Sequence, residues 1–179
     1  MKTNKILIID LEATCWDDKP KEYTEKNSEI IEVGICLFDT KNKKVLKNEG
    51  ILVKPESSEI SPFCTKLTTI TPEMVSNQDI LSQVLAKIKK DYNPRNYTWG
   101  SWGYYDLKQL KRECLRKGVS NPFMDRNHIN LKTHVAIHKG LPKGVGIEKA
   151  LELLNIDFEG TPHRGVDDTL NIARILQRL

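Results

Sequence analysis

Hydrophobic residues in the first third of the chain form three short runs separated by polar stretches, a pattern typical of β-strands. The first run, 6–9, is apolar at every position, as expected for a central strand that is covered on both faces. The second and third runs cover 29–38 and 44–54, and the polar segment 39–43 between them predicts a hairpin turn. The sequence therefore predicts three antiparallel strands at the start of the chain.

Helical periodicity dominates the remaining two thirds of the chain. Apolar residues recur at spacings of three and four in four segments, 81–88, 107–115, 147–154 and about 166–179. Gly118 follows the second segment as a typical helix stop, and a short strand is predicted at 97–99. This order predicts an α/β domain whose mixed sheet is flanked by helices and has the first strand near its middle.

Composition changes this picture little. Of the 179 residues, 39% are hydrophobic and 29% are charged, which is typical of one globular domain. No apolar run approaches the ~20 residues of a membrane-spanning helix. Residues 1–179 are therefore expected to form a single domain. The four cysteines lie far apart without a CxxC pair, which favours reduced thiols in a cytoplasmic protein. The net charge of +4 is compatible with a polyanionic partner without identifying one.

Two carboxylates follow the first apolar run in the motif Asp10-Leu11-Glu12. Because side chains alternate along a strand, Asp10 and Glu12 project to the same side, in line with Ile6 and Ile8. Two acids on a buried face repel each other and lose hydration, so they need protonation or a cation. A divalent metal ion would satisfy both. A solvated strand end is the more common explanation of an isolated motif of this kind.

The two adjacent aspartates of the segment 163–168 differ in direction. Steps of four and three from Asp168 lead to an apolar stripe, Ile172, Ile175 and Leu179. The same steps from Asp167 lead to a polar stripe, Asn171, Arg174 and Arg178. We therefore expect Asp168 to face the core, where a metal shared with Asp10 and Glu12 would compensate its charge. Asp167 is expected to face solvent as a helix-start acid that the macrodipole favours.

Asp106 and His163 extend this set of candidate residues. Asp106 follows the predicted strand 97–99, and although such an acid is more often a plain helix-start residue, α/β domains collect ligands at strand ends. His163 lies in a loop five residues before Asp168. Phosphodiester cleavage needs a hydroxide and stabilisation of developing charge, which carboxylates can provide by holding two divalent ions about 3.5–4 Å apart. A nearby histidine is suited to take the proton from the attacking water.

The ordered set Asp10-x-Glu12, Asp106 and His163-x4-Asp168 resembles the three motifs of the DEDDh branch of the DEDD exonuclease superfamily. Similarity to the histone-mRNA 3′-end exonuclease branch and its bacterial relatives extends to three segments, 10–16, 63–68 and 163–174. The resemblance covers nearly the whole chain. It implies a ribonuclease H-like sheet of about five strands and 3′→5′ exonuclease activity that depends on two divalent metal ions, Mg²⁺ or Mn²⁺.

The resemblance also implies a role for each residue. One metal would be held by three acids, Asp10, Glu12 and Asp168. Asp10 would hold the second with Asp106 through water, and His163 would be the general base. The 3′-terminal nucleotide would lie over three residues after the first motif acid, Leu11, Ala13 and Thr14. Tyr105 stands where the histone-mRNA branch has a tryptophan, and a base could stack on it.

The implied partners are single-stranded 3′ ends, RNA in preference to DNA, with nucleoside 5′-monophosphates as products. Two alternatives remain open. An endonuclease of the ribonuclease H type shares the carboxylates but lacks the His-x4-Asp arrangement, so His163 argues against it. A regulatory binding protein of the same fold, of the kind that acts in sporulation signalling, would have little turnover, which the complete ligand set disfavours. The sequence does not set the oligomeric state.

For three further residues, Glu32, His134 and His138, the sequence bears on whether the side chain is buried or exposed. Glu32 interrupts an apolar strand, where a buried glutamate hydrogen-bonded near the cleft and an exposed acid at a sheet edge are about equally expected. His134 and His138 have the i,i+4 spacing of metal ligands, but no third ligand is near in the sequence. We therefore predict that both histidines lie on the surface of a helix.

Overall fold

The computed structural model describes residues 4–17, 27–124 and 127–179. Its sheet has five strands, β1 (Lys5–Ala13), β2 (Ile30–Asp39), β3 (Lys44–Leu52), β4 (Thr98–Ser101) and β5 (His128–Asn130). Their order is β3-β2-β1-β4-β5. The first three strands are antiparallel, whereas β4 runs parallel to both β1 and β5. The predicted mixed α/β sheet with the first strand at its centre is confirmed.

Helices cover both faces of this sheet. They are α1 (Pro62–Thr68), α2 (Pro72–Ser76), α3 (Leu81–Tyr92), α4 (Tyr105–Lys117), α5 (Leu131–His138), α6 (Ile147–Glu152) and α7 (Gly165–Gln177). One face of β1, with Leu7 and Ile9, packs against α3 and α4. The other face, with Ile6 and Ile8, packs against α7. None of the helices within the described ranges is long and apolar enough to cross a membrane.

β1 extends further than its apolar run predicts. The strand continues through the acidic motif to Ala13, with Asp10 opposite Gly34 and Glu12 opposite Glu32 in β2. Pairing with β4 involves only positions 6–8 of β1. The acidic motif therefore lies inside the strand, at a point where β1 has a partner on one side and opens towards a cleft on the other.

The buried face of α4 and the end of α6 differ from the sequence prediction. α4 does end at Gly118, which has a left-handed φ of 62°. Leu115, however, is 82% exposed and does not belong to the buried face of α4. Beside Leu110 and Cys114, that face carries two buried polar residues, Gln109 and Glu113, which bond to the chain around residues 28–30. α6 ends at Glu152, whereas the sequence predicts a helix that continues to residue 154. The sequence does not predict β5, because a strand of three residues gives no periodic pattern.

A close backbone contact joins the start of α7 to β2. A Cβ atom on Gly34 would lie 2.0 Å from the carbonyl oxygen of Gly165, and a Cβ atom on Gly165 would lie 2.8 Å from the amide nitrogen of Gly34. No side chain fits between the two residues. The end of the helix therefore rests directly on the sheet, and its first turn lies over β1.

We expect Gly34→Ala to lower the free energy of unfolding by about 1–3 kcal/mol or more, the usual range for overpacking. Urea unfolding would measure the change. The control is Gly146→Ser, because a Cβ atom there meets nothing within 4 Å and Gly146 is the N-cap of α6, where serine is favoured. The control should change stability by no more than about 0.5 kcal/mol. Wild-type stability of Gly34→Ala would contradict the contact.

Candidate active site

Three carboxylates predicted to share a metal ion lie together in the structure. Side-chain oxygens of Asp10, Glu12 and Asp168 are all within 4.8 Å of one another. The first two come from β1 and the third from the first turns of α7. Glu12 and Asp168 are buried, whereas Asp10 is partly exposed. Oxygen ligands at such spacing fit a hard divalent cation such as Mg²⁺ or Mn²⁺.

Asp106 approaches the same site from the first turn of α4. Its Oδ1 accepts a hydrogen bond of 3.0 Å from the backbone N–H of Leu11. This amide is available because the pairing of β1 with β4 ends at Ile8. Asp106 is not part of the group of three acids within 4.8 Å of one another, but its charge raises the pKa of Asp10 and Glu12, so it lies beside that group.

Burial raises the pKa of all four carboxyls, and neighbouring negative charges raise it further for Asp10, Glu12 and Asp168. For Asp10, desolvation and then the charges of Asp106 and Glu12 raise the pKa well above its ordinary value. Desolvation, followed by the charge of Asp168, raises the pKa of Glu12 to about 9. Desolvation also raises the pKa of Asp168 to about 7 and that of Asp106 to about 6. The four groups are therefore unlike ordinary surface acids, and bound cations would remove the repulsion between them.

A cleft of about 530 Å³ opens over these acids. It is lined by all five predicted catalytic residues and by three predicted substrate contacts, Leu11, Ala13 and Tyr105. Tyr105 is 51% exposed, so a face of its ring is accessible. Thr14 is not part of this lining. Its hydroxyl is buried, 2.8 Å from the hydroxyl of Ser58, and accepts a hydrogen bond from the backbone N–H of Glu29.

His163 lies at the edge of the cleft in the loop before α7. Its side chain is exposed, and its φ of 61° is in the left-handed region that few residues other than glycine adopt. The backbone N–H groups of His163 and Arg164 lower the pKa of Asp168, against the larger opposite effect of desolvation. The loop that carries the imidazole therefore lies beside one of the clustered acids.

The polar stripe of α7 is covered at its start and faces solvent only at its end, at Arg178, so the prediction that Asp167 faces solvent is wrong. Asp167 is partly buried and accepts a hydrogen bond of 2.9 Å from the backbone N–H of Thr161. Asn171 is fully buried, where it donates to the carbonyl oxygen of Glu159 and accepts from the N–H of the same residue. The loop before α7 folds back over this stripe, and both side chains anchor the loop that carries His163.

Glu32 is buried and hydrogen-bonded, which decides between the two expectations for this residue. It is 1% exposed and forms a two-pronged ion pair with Arg164, with distances of 3.1 and 3.0 Å. It also accepts a hydrogen bond of 2.8 Å from the N–H of Gly165. The sequence signalled Glu32 as an acid in an apolar strand but did not identify its partners. His134 and His138 are exposed on α5, as predicted.

Comparison with known proteins places the chain among exonucleases. The RNase_T exonuclease family model matches residues 7–176. The 3′-5′ exoribonuclease 1 of Rattus norvegicus is 33% identical, over 97% of this chain and 52% of the relative. ERI1 exoribonuclease 3 of Homo sapiens is 34% identical, with the same coverage of each chain. The chain thus spans about half the length of these curated relatives.

Solved structures agree with this placement. The nuclease domain of 3′hExo, a DEDDh family member bound to rAMP, has a TM-score of 0.88 and 31% identity, over 98% of this chain and 91% of that chain. Cell-death related nuclease 4 has a TM-score of 0.80 at 23% identity, a likeness of fold alone. With the family match over residues 7–176, these likenesses show that the chain belongs to the RNase_T exonuclease family, on the branch of the histone-mRNA 3′-end exonuclease.

Proposed function

We propose that residues 1–179 act as one metal-dependent exonuclease domain that removes nucleotides from the 3′ end of single-stranded nucleic acid, RNA in preference to DNA. The observation that carries the proposal is the cluster of Asp10, Glu12 and Asp168 at the base of a cleft that His163 also lines. The names of both relatives, as exoribonucleases, support the choice of RNA, and the name 3′-5′ exoribonuclease 1 supports the direction of digestion.

The acids provide oxygen ligands for two divalent ions. Asp10, Glu12 and Asp168 would hold the first, and Asp10 together with Asp106 would hold the second through water. Divalent ions bound there would activate a water molecule and stabilise the negative charge that develops on the phosphate. The raised pKa values of these carboxyls support this role, because cations would favour their ionised forms.

His163 is the proposed general base. Its exposed imidazole lines the cleft, so a ring nitrogen can take the proton of the attacking water. The hydrogen bonds that join the loop to Asp167 and Asn171 limit the movement of the backbone that carries this ring. Attack on the phosphorus of the terminal linkage releases a nucleoside 5′-monophosphate and leaves a new 3′ hydroxyl.

The cleft walls are suited to a single terminal nucleotide. The volume of about 530 Å³ lies within the roughly 300–1,000 Å³ common for small-ligand sites. Leu11 and Ala13 provide apolar contact on the floor, and Tyr105 offers an aromatic face for stacking. The buried hydroxyl of Thr14 supports the strand next to this wall, so Thr14 would act on substrate through the backbone that it positions.

Digestion of 5′-labelled single-stranded RNA and DNA tests the proposal directly. We expect a ladder that shortens from the 3′ end, with RNA degraded at least as fast as DNA, and chromatography should identify 5′-monophosphates. EDTA should abolish the ladder. A covalently closed circular strand should stay intact, and its cleavage would contradict the exonuclease assignment. Metal binding without any turnover would instead favour the regulatory binding protein.

Replacement of His163 tests the general base. We expect His163→Ala to lower turnover by roughly 10²–10⁴-fold, the usual contribution of such a group, while metal binding survives. His163→Asn is the matched variant, because asparagine tolerates a left-handed φ better than alanine and should lose as much activity with less backbone strain. His134→Ala, at an exposed position of α5, is the control. Near-wild-type turnover of both position-163 variants would remove the imidazole from the mechanism.

The neighbouring aspartates of α7 provide a matched pair of substitutions. Asp168→Asn should abolish turnover, because a neutral amide is a poor ligand for a hard dication. Asp167→Asn should keep activity within a few-fold, since an amide oxygen can still accept the hydrogen bond from Thr161. Steady-state turnover of both variants decides the assignment. An inactive Asp167→Asn beside an active Asp168→Asn would overturn the proposed third motif.

The raised pKa of Asp168 predicts that the effect of Asp168→Asn on stability depends on pH. The folded protein raises the pKa of Asp168 from 3.8 to about 7, so in metal-free protein this group contributes stability at low pH that is lost as the pH rises through 7. Asp168→Asn should therefore raise the melting temperature in EDTA at pH 8, with a smaller gain at pH 5. Mn²⁺ should stabilise the wild type more than the variant. A gain at pH 5 as large as that at pH 8 would contradict this account.

A further inference from the structure

The outer face of α4 carries positive charge only. The exposed charged residues of this helix are all basic, and they are Lys108, Lys111 and Arg116. Both acids of the helix, Asp106 and Glu113, are buried on its inner face. Arg112 is partly buried beside the exposed lysines. The inner face of α4 thus holds its negative charge, and the outer face offers cations to a ligand in solution.

This outer face is continuous with the wall of the cleft. Residues three and four apart lie on the same side of a helix, so one stripe contains Tyr105, Lys108, Lys111, Arg112 and Leu115. We call these five residues the α4 stripe. Tyr105, the first residue of the helix, lines the cleft and is 51% exposed. At a rise of 1.5 Å per residue, the stripe extends about 15 Å from the cleft to Leu115.

The side chains of the α4 stripe are available to a ligand. Lys108 and Lys111 form no side-chain hydrogen bond or ion pair within the described ranges. Arg112 donates to Oε1 of Gln109 through Nη2, which leaves Nη1 for a ligand. Leu115 is 82% exposed, so it offers an apolar contact between the basic residues. Arg116 lies outside the stripe, because it donates to the carbonyl oxygen of Ser28.

We propose that the α4 stripe binds the nucleotides that precede the 3′-terminal one, with its cations against their phosphates. The inference rests on the proposed exonuclease function, because it assumes a strand whose 3′ end lies in the cleft. Phosphates at the roughly 3.4 Å spacing of a stacked strand would place about four along the 15 Å of the stripe. Tyr105 and Leu115 suit contact with bases, since stacking and apolar contact do not depend on base identity. Because the stripe reads phosphate, it should serve single-stranded RNA and DNA alike.

A length series of substrates tests this path. Lys108→Gln/Lys111→Gln is the test variant, and Lys87→Gln/Lys90→Gln on α3 is the matched control. Each removes two exposed lysines, but the described lining of the cleft includes no residue of α3. The substrates are 5′-labelled oligouridylates from the dinucleotide to the dodecamer. KM of the wild type should fall with length and level off after about four phosphates beyond the terminal linkage.

The test variant should lose this advantage of long substrates. An exposed ion pair contributes up to about fivefold, so its KM for the dodecamer should rise by roughly 5–25-fold with kcat unchanged. The dinucleotide, which is too short to reach Lys108, should keep its KM and kcat. An unchanged KM for the dodecamer would overturn the inference. So would an equal rise in KM for the dinucleotide, or an equal rise in the α3 control.

Binding in EDTA separates the inference from the proposed function. Fluorescence anisotropy of a 5′-labelled dodecamer needs neither metal nor turnover. The slope of log affinity against log salt should be less steep by about 0.7 for each lost phosphate contact, hence by about 1.4 for the test variant. The α3 control should keep the wild-type slope, and equal slopes for all three proteins would overturn the inference. A wild type that binds the dodecamer in this way without shortening it in Mg²⁺ would defeat the proposed function and leave the α4 stripe standing.

Discussion

The contact between Gly34 and Gly165 sets the geometry of the candidate site. α7 can rest on the backbone of β2 only because neither residue has a side chain. Glu32 strengthens the same contact, since it accepts a hydrogen bond from the N–H of Gly165 and pairs with the preceding arginine. The first turn of α7 is thereby held over β1, which brings Asp168 within reach of the two acids of that strand. The contact between Gly34 and Gly165, which takes no part in catalysis, therefore determines where the metal-binding acids come together.

The clustering of Asp10, Glu12 and Asp168 destabilises the folded protein as long as no cation is bound. Each carboxyl loses hydration and faces other negative charges, which is why Glu12 has a pKa raised to about 9 and Asp168 one raised to about 7. Protons and metal ions consequently compete for the same oxygens, and the apparent metal affinity should rise with pH. Repulsion among the acids of the metal-free site and the binding of a divalent cation are two consequences of one arrangement.

The sequence predicts those parts of the site that depend on local periodicity. Alternation along β1 places Asp10 and Glu12 on the face that α7 covers, and helical spacing turns Asp168 towards the core. Contacts between distant segments were not predictable in this way. The partner of Glu32, the burial of Asn171 under a returning loop, and the three-residue strand β5 all depend on which segments meet in space. Local sequence patterns carry no information about contacts between segments that are far apart in the chain.

The acids also differ in what holds them in place. Asp10 and Glu12 are fixed by a strand paired along its length with β2, and Asp168 by the first turn of α7, which Asp167 bonds to the preceding loop. Asp106 sits in the first turn of α4, and its carboxylate accepts a hydrogen bond from one backbone amide, that of Leu11. Its orientation therefore depends on a single contact between a side chain and the backbone of β1. Under the proposed two-metal arrangement, the second ion should therefore be more sensitive to substitutions around Asp106 than to substitutions around Asp10, which the paired strand fixes.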